Sequence, residues 1–417
     1  MLRVKWLGML PRLVAPALAA FVGIIGIPAS AGEELDSPDR PAIAAPVVWS
    51  VVGAPLYPVR GTDERIHLAY EILFTNVSPA SVEVESVEVI DPTQDDEATG
   101  VYEVVANDGG DVTAQVKLFS TPGTLDAADY STILPPGQSG LMFIDLTFEG
   151  RRSVPRLIAH RLTVSAPDVE ESEVTVIGGF EKVSEMRAVV LKPPLRGDRW
   201  FNENGCCDII DAHRSTLLPL NGAPRPAQRF AIDFMQLDAE GRVFVGDGTV
   251  LSNWHFYGTD VLAAGAGKVV EVVNNLPNQV PGQFPAGIPI EQAPGNHVII
   301  DMGHDEFAMY AHMIPGSVVV REGQFVRAGE KLGRLGNSGN TIVPHLHFQV
   351  MDRPSPLNSV GLPFVFDRMA LQGRLAGSSL EEVDDLLFAG GAVLVDDSVT
   401  GPRRRQMPLT LDMLGFR

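Results

Sequence analysis

The run PHLHFQV, Pro344 to Val350, sets His345 and His347 two positions apart inside an apolar segment. In an extended strand residues i and i+2 point to one face, so both imidazoles project into one space. Two further polar intrusions lie upstream. FAIDF (Phe230 to Phe234) places Asp233 in the middle of an apolar strand, where an unpaired carboxylate is costly. MYAHM (Met309 to Met313) closes another such strand on His312. A shared polar site explains these intrusions better than separate accidents do.

Around them the pattern is short strands and glycine-rich turns. Strands are expected at Arg229–Phe234, Asp260–Leu262, Lys268–Val273, His297–Asp301, Phe307–His312, Ser317–Val320 and His345–Met351. Gly333, Gly336 and Gly339 lack a Walker pattern and a strand–helix context, and read as structural turns. His304 reads as a turn residue and His297 as a strand position. Residues 378–389 (SSLEEVDDLLFA) predict one short helix, and MPLTLDMLGFR a final strand and tail. The first half is built differently. Ile66, Leu68, Tyr70, Ile72 and Phe74 alternate, followed by Val82, Val84, Val87 and Val89 and by apolar runs at Leu141–Phe148, Leu157–Val164 and Val174–Ile177. Turn residues separate these runs, which predicts an immunoglobulin-like β-sandwich over residues 45–190. His67 and His160 fall within its strands and read as surface or satisfied core histidines. Pro193 and Pro194 mark residues 191–200 as a linker, residues 201–371 as a compact antiparallel β domain and residues 372–417 as a C-terminal extension. The expected class is all-β.

Composition narrows the function. With 52 Asp and Glu against 32 Lys and Arg, the formal net charge is −20, which excludes a nucleic-acid partner held by bulk charge. Arg3, Lys5 and Arg12 precede an apolar run, Leu13 to Pro28, and Ala29 and Ala31 follow as an A-x-A site. This predicts a cleaved signal peptide over residues 1–31, an exported protein, and no membrane span after cleavage. Cys206 and Cys207 are adjacent and read as incidental thiols or a vicinal bridge.

The stretch from Tyr257 to Met351 resembles the lysostaphin/LytM-type zinc endopeptidases that cut peptidoglycan cross-bridges. The matching motifs, in order, are YGTDVLAAGAGKVVEV, GNHVIIDMG, MYAHM, VREGQFVRAGEKLGRLGNSGN and PHLHFQV, and the likeness extends over residues 225–352. It implies a lysostaphin/LytM-type fold and a zinc site. The family's ligands are the His and Asp of an H-x-G-I-D strand and the second His of H-x-H, which map here onto Asp233 and His347. Two family histidines that flank the metal-bound water match His345, a general-base candidate, and His312, a candidate donor to the oxyanion.

One position departs from the family. Four residues before Asp233, where the family has its first ligand His, the chain has Arg229, and guanidinium has no lone pair for zinc. Either another side chain supplies the third ligand, with His213 (DAHRS) or His255 (NWHFYG) as candidates, or Arg229 takes the metal's place beside Asp233. The first alternative implies an exported zinc metalloendopeptidase that cuts peptide bonds of peptidoglycan stems or cross-links. The second implies a degenerate domain that binds cell wall or regulates a partner hydrolase. The acidic chain demands local recognition of its peptide substrate, through a groove and through the sandwich, which also offers a surface to a protein partner. An adhesin with a spacer domain leaves the buried polar cluster unexplained.

Overall fold

The computed structural model describes residues 42–94, 97–103, 116–118, 130–167, 169, 172–207, 212–215, 217–377 and 379–417, and the expected signal peptide lies outside them. The N-terminal strands are β1 (Val47–Val52), β2 (Ile66–Asn76), β3 (Val82–Asp91), β4 (Glu97–Glu103), β5 (Ser139–Phe148), β6 (Leu157–Ser165) and β7 (Val174–Lys182). Strands β1, β2 and β5 are neighbours in one antiparallel sheet, and β7, β6, β3 and β4 follow one another in a second. The alternating residues read from the sequence carry the core between them: Leu68, Tyr70, Ile72 and Phe74 of β2 pack with Val82, Val84, Val87 and Val89 of β3. His160 is a satisfied core histidine, its ring bonded to Tyr70 Oη and the Gly179 carbonyl.

The second half is one large sheet with β8 (Gly197–Asn202), β9 (Ile232–Gln236), β10 (Gly267–Val273), β11 (Asn296–Asp301), β12 (Phe307–Met313), β13 (Leu346–Met351), β14 (Met369–Leu375) and β15 (Asp412–Phe416). Their order is β10, β11, β12, β13, β9, β8, β15, β14, with every neighbouring pair antiparallel. Two sequence expectations change. Val189–Leu191 and β8 are strands, so the segment around Pro193 and Pro194 is a short connection inside the sheet system rather than a spacer. Likewise β14 crosses the expected boundary at residue 371 and β15 pairs with β8, so the C-terminal residues complete the same sheet. Ser317–Val320 forms no strand, because Val318 N donates to the Asn274 side chain and the next strands are Phe325–Val326 and Lys331–Arg334. The predicted helix spans Leu380–Phe388, with the Ser379 side chain capping its N-terminus and Val383 and Leu387 buried.

The two halves share an interface formed by the second face of β2. That face carries His67, Ala69 and Glu71, which alternation alone assigns to solvent, yet all are buried. Ala69 joins the core of the second half. Backbone bonds between Thr62 N and the Met407 carbonyl (3.1 Å) and between Met407 N and the Arg60 carbonyl (2.8 Å) extend the join to the C-terminal segment. Cys206 and Cys207 are disulfide-bonded to each other nearby, and their thiols are therefore not free.

His67 lies between two carboxylates, with Nδ1 3.1 Å from Asp145 and Nε2 3.2 Å from Asp63. Burial alone lowers its pKa, but the hydrogen bonds and charges of Asp145 and Asp63 outweigh it and raise the value to about 9. A folded-state pKa above the unfolded one contributes stability that is complete below pH 6.5 and lost as pH rises through about 9. Urea unfolding measured across that window should therefore show falling stability, and His67→Gln should flatten the slope. An unchanged slope in the variant contradicts the pairing.

Candidate metal centre

Register builds the site. Strands β9 and β13 pair Asp233 directly opposite His347, flanked by Ile232 opposite Phe348 and Phe234 opposite Leu346. Because the side-chain period is two, Ile232, Phe234, Leu346 and Phe348 enter the core while Asp233 and His347 emerge together on the other face. On the far side of β13, Ala311 of β12 sits opposite His347, which brings the neighbouring His312 to the same cluster. The His312 and His345 rings meet edge-on with centroids 4.6 Å apart, and those of His312 and His347 lie 5.7 Å apart.

Asp233 is 5% exposed, and its carboxylate is the centre of the cluster. Its oxygens lie 3.1 Å from His213 Nε2, 3.0 Å from His347 Nδ1, 3.3 Å from His345 Nε2 and 3.2 Å from Asn204 Nδ2. Burial alone raises the carboxyl pKa, but the charges of His213 and His345 and hydrogen bonds from His213 and His347 hold it well below the usual carboxylate range. The group is therefore an anion in a nearly dry place, surrounded by nitrogen ligands. His213, Asp233 and His347 each offer one donor atom, all within 4.8 Å of one another and all on buried residues. Two imidazoles and one carboxylate match the donor set of a catalytic zinc site with an open position.

The hydrogen bonds assign tautomers that suit this use. His347 Nε2–H donates to Gln349 Oε1 at 2.7 Å, which leaves Nδ1, in hydrogen-bond contact with Asp233, as the nitrogen that a metal would take once its proton is released. His345 Nδ1–H donates to the Val343 carbonyl at 2.9 Å, leaving Nε2 bare. His312 Nδ1–H donates to the Ser338 carbonyl at 2.8 Å, leaving its Nε2 bare as well. Burial pushes the pKa of His345 down, and His347 and His213 add to the effect against the pull of Asp233. Burial, with His345 and His347 beside it, pushes His312 well below the ordinary histidine value.

Of the sequence candidates, Asp233, His213, His312, His345 and His347 gather here. His255 does not: it is an exposed residue whose ring packs edge-on against Phe256, with Asp238 and Arg199 as its charged neighbours. Arg229 does not stand in the metal's place either. Its guanidinium reaches Glu71 of the sandwich (2.6 Å) and the Val52 carbonyl (2.7 Å). His297 bonds the Gly295 carbonyl and Glu271, and His304 sits in a turn at φ 58°. Sequence reasoning missed Gln349, although its place two residues after His347 on the same strand face was a usable signal. It also missed Asn204 and Glu71, for which no local signal exists. His67, Asp145 and Cys207 form a second grouping, but the Cys207 sulfur is already bonded to Cys206.

The glycines of LGNSGN serve this site. Ser338, whose carbonyl holds His312, is pressed against β11 and β12, and its hydroxyl accepts from Asn296 N at 2.9 Å. A Cβ on Gly336 would lie 2.4 Å from Ile314 N and 2.8 Å from the His312 carbonyl, and Gly339 at φ 87° abuts Gly295 just as closely.

Residues 254–359 match the profile of Peptidase family M23; Asp233 and His213 lie before the matched stretch. Among curated proteins, Peptidoglycan DD-endopeptidase ShyA of Vibrio cholerae is 35% identical over 66 residues, covering 16% of this chain and 15% of that protein. Peptidoglycan DD-endopeptidase ShyB of the same organism is 29% identical over 120 residues, covering 29% of this chain and 24% of that protein. The chain thus spans less than a quarter of either relative. Among solved structures, the catalytic domain of lysostaphin from Staphylococcus simulans aligns at 22% identity with a TM-score of 0.22, covering 39% of this chain and 86% of that one.

The packing around Gly336 makes a direct test. Gly336→Ala should cost about 1–3 kcal/mol in urea unfolding, whereas Ala at Gly150, which has open space around it, should stay within about 0.5 kcal/mol of wild type. Equal effects at the two positions contradict the close approach.

Proposed function

We propose that the protein is an exported zinc-dependent metalloendopeptidase that hydrolyses peptide bonds in peptidoglycan stems or cross-links. The observation that carries the reading is the buried Asp233 carboxylate, ringed by His213, His347 and His345 in place of a Lys or Arg partner. His213 Nε2, the Asp233 carboxylate and His347 Nδ1 would hold the ion. Zinc bound there supplies Lewis acidity, lowering the pKa of a water to about 7 and polarising a substrate carbonyl.

The chain's own groups then have definite tasks. His345 accepts the proton of the attacking water at Nε2, since its Nδ1 proton is committed to Val343. The imidazolium so formed lies beside Asp233, which stabilises it until the proton passes to the departing amine. His312 presents a bare Nε2 in its resting tautomer, which lets it accept a hydrogen bond from the attacking water and orient it. Gln349 holds the His347 ring in its ligating orientation.

Support for catalysis over the degenerate alternative comes from Arg229. Its guanidinium is engaged by Glu71, Val52 and Gly53, leaving the donors at Asp233 unobstructed. An extracytoplasmic setting agrees with the peptidoglycan-acting relatives. Among the described residues no helix is long and apolar enough to cross a membrane.

Metal analysis of the purified full chain should find near-stoichiometric zinc, lost in His347→Ala and sharply weakened in His213→Ala without unfolding. Folded, metal-free wild type defeats the proposal. With zinc retained, His345→Ala should slow cleavage of cross-linked muropeptides, followed by mass spectrometry, by roughly 10²–10⁴-fold.

A further inference from the structure

Arg214, the neighbour of the candidate third ligand His213, and Arg229, which stands where the family has its first ligand His, are both paired with one carboxylate of the N-terminal half. Glu71 lies on β2 of the sandwich, its side chain fully buried. One oxygen accepts from Arg214 Nε at 3.3 Å, and the other accepts from Arg229 Nε at 2.9 Å and Nη2 at 2.6 Å. Main-chain carbonyls occupy further guanidinium donors. Arg214 bonds those of Tyr70 and Ile144 in the sandwich (both 3.0 Å) and of Cys207 (2.9 Å), and Arg229 bonds that of Val52 (2.7 Å).

Each arginine leads to a member of the metal centre. Arg214 is adjacent in sequence to His213, on the one-turn helix Ala212–Ser215, and Leu217 just beyond packs against Val52, Leu141 and Phe143 of the sandwich. So short a helix has little stability of its own and takes its position from what it is anchored to. Arg229 precedes Asp233 by four residues, and a turn closed by Ala231 N on the Gln228 carbonyl feeds the chain into β9. Asp233 and His347 come from paired strands of one sheet, whereas His213 comes from outside it, on a segment moored to the sandwich.

We infer that Glu71 is a positioning residue for the metal centre: through Arg214 it sets His213 against Asp233, so the site is complete only when the sandwich is docked on the second half. The N-terminal half thereby contributes to metal affinity without touching the metal. This rests on the proposed role of His213 as third ligand. Arginine suits the task because its planar fork fixes direction as well as charge.

The test uses the full chain and measures zinc affinity by competition with a chromogenic chelator, with circular dichroism to verify folding. Glu71→Gln, which keeps the shape and removes the charge, should weaken zinc binding by roughly 10–100-fold. In a His213→Ala background the same substitution should cause no further weakening, because the residue it acts through is gone. Wild-type affinity in Glu71→Gln, or losses that multiply in the double variant, overturn the inference while leaving the proposed function standing. A wild-type chain that takes up no zinc overturns both. Should Glu71→Gln fail to fold, Arg214→Lys is the second variant: it keeps the charge but not the fork, and should likewise weaken zinc at least tenfold, wild-type affinity there being the overturning result.

Discussion

A carboxylate held out of water must find positive charge or ordered donors, and Asp233 imposes that demand on everything around it. Its position opposite His347 on paired strands leaves no freedom in where the answering groups stand, since a one-residue slip of either strand would turn that strand's polar side chain into the core. The core accepts only the alternative set, Ile232, Phe234, Leu346 and Phe348, so hydrophobic burial and the polar site enforce the same register. The surrounding imidazoles are held by carbonyl and amide oxygens on their outward nitrogens, which turns the inward nitrogens toward the centre.

The interface between the halves is organised by a second buried carboxylate. Glu71 faces two guanidiniums, and removing one partner of such a group typically costs about 3–5 kcal/mol, because the remaining charge is left uncompensated. An assembly of this kind is better at specifying geometry than at adding net stability. Here that geometry includes the segment bearing His213. The thioether, aromatic and aliphatic packing of the second half supplies the cohesion, and the ionic contacts choose which docked arrangement it stabilises.

Much of the second half was legible locally. Period-two alternation located most of its strands within a residue or two, and polar residues inside those strands marked Asp233, His312, His345 and His347. Arg229 was also visible as a departure, since its chemistry forbids ligation whatever the fold. What it does instead was invisible, because its partner lies 158 residues away. His213 and His255 looked alike as loop histidines. The difference between them is that one loop is anchored over Asp233 and the other turns its ring outward onto Phe256.

By itself the sequence determined the all-β class, the face on which the paired histidines stand, and that the side chain at position 229 cannot ligate a metal, because alternation and ligand chemistry act over a few residues. The tertiary structure alone decided that His213, and not His255, is brought to Asp233, that Glu71 is buried rather than solvated, and that the final strand completes the sheet. Those outcomes depend on contacts between segments far apart in the chain. No local pattern of polarity can say which of a strand's two faces will meet another domain.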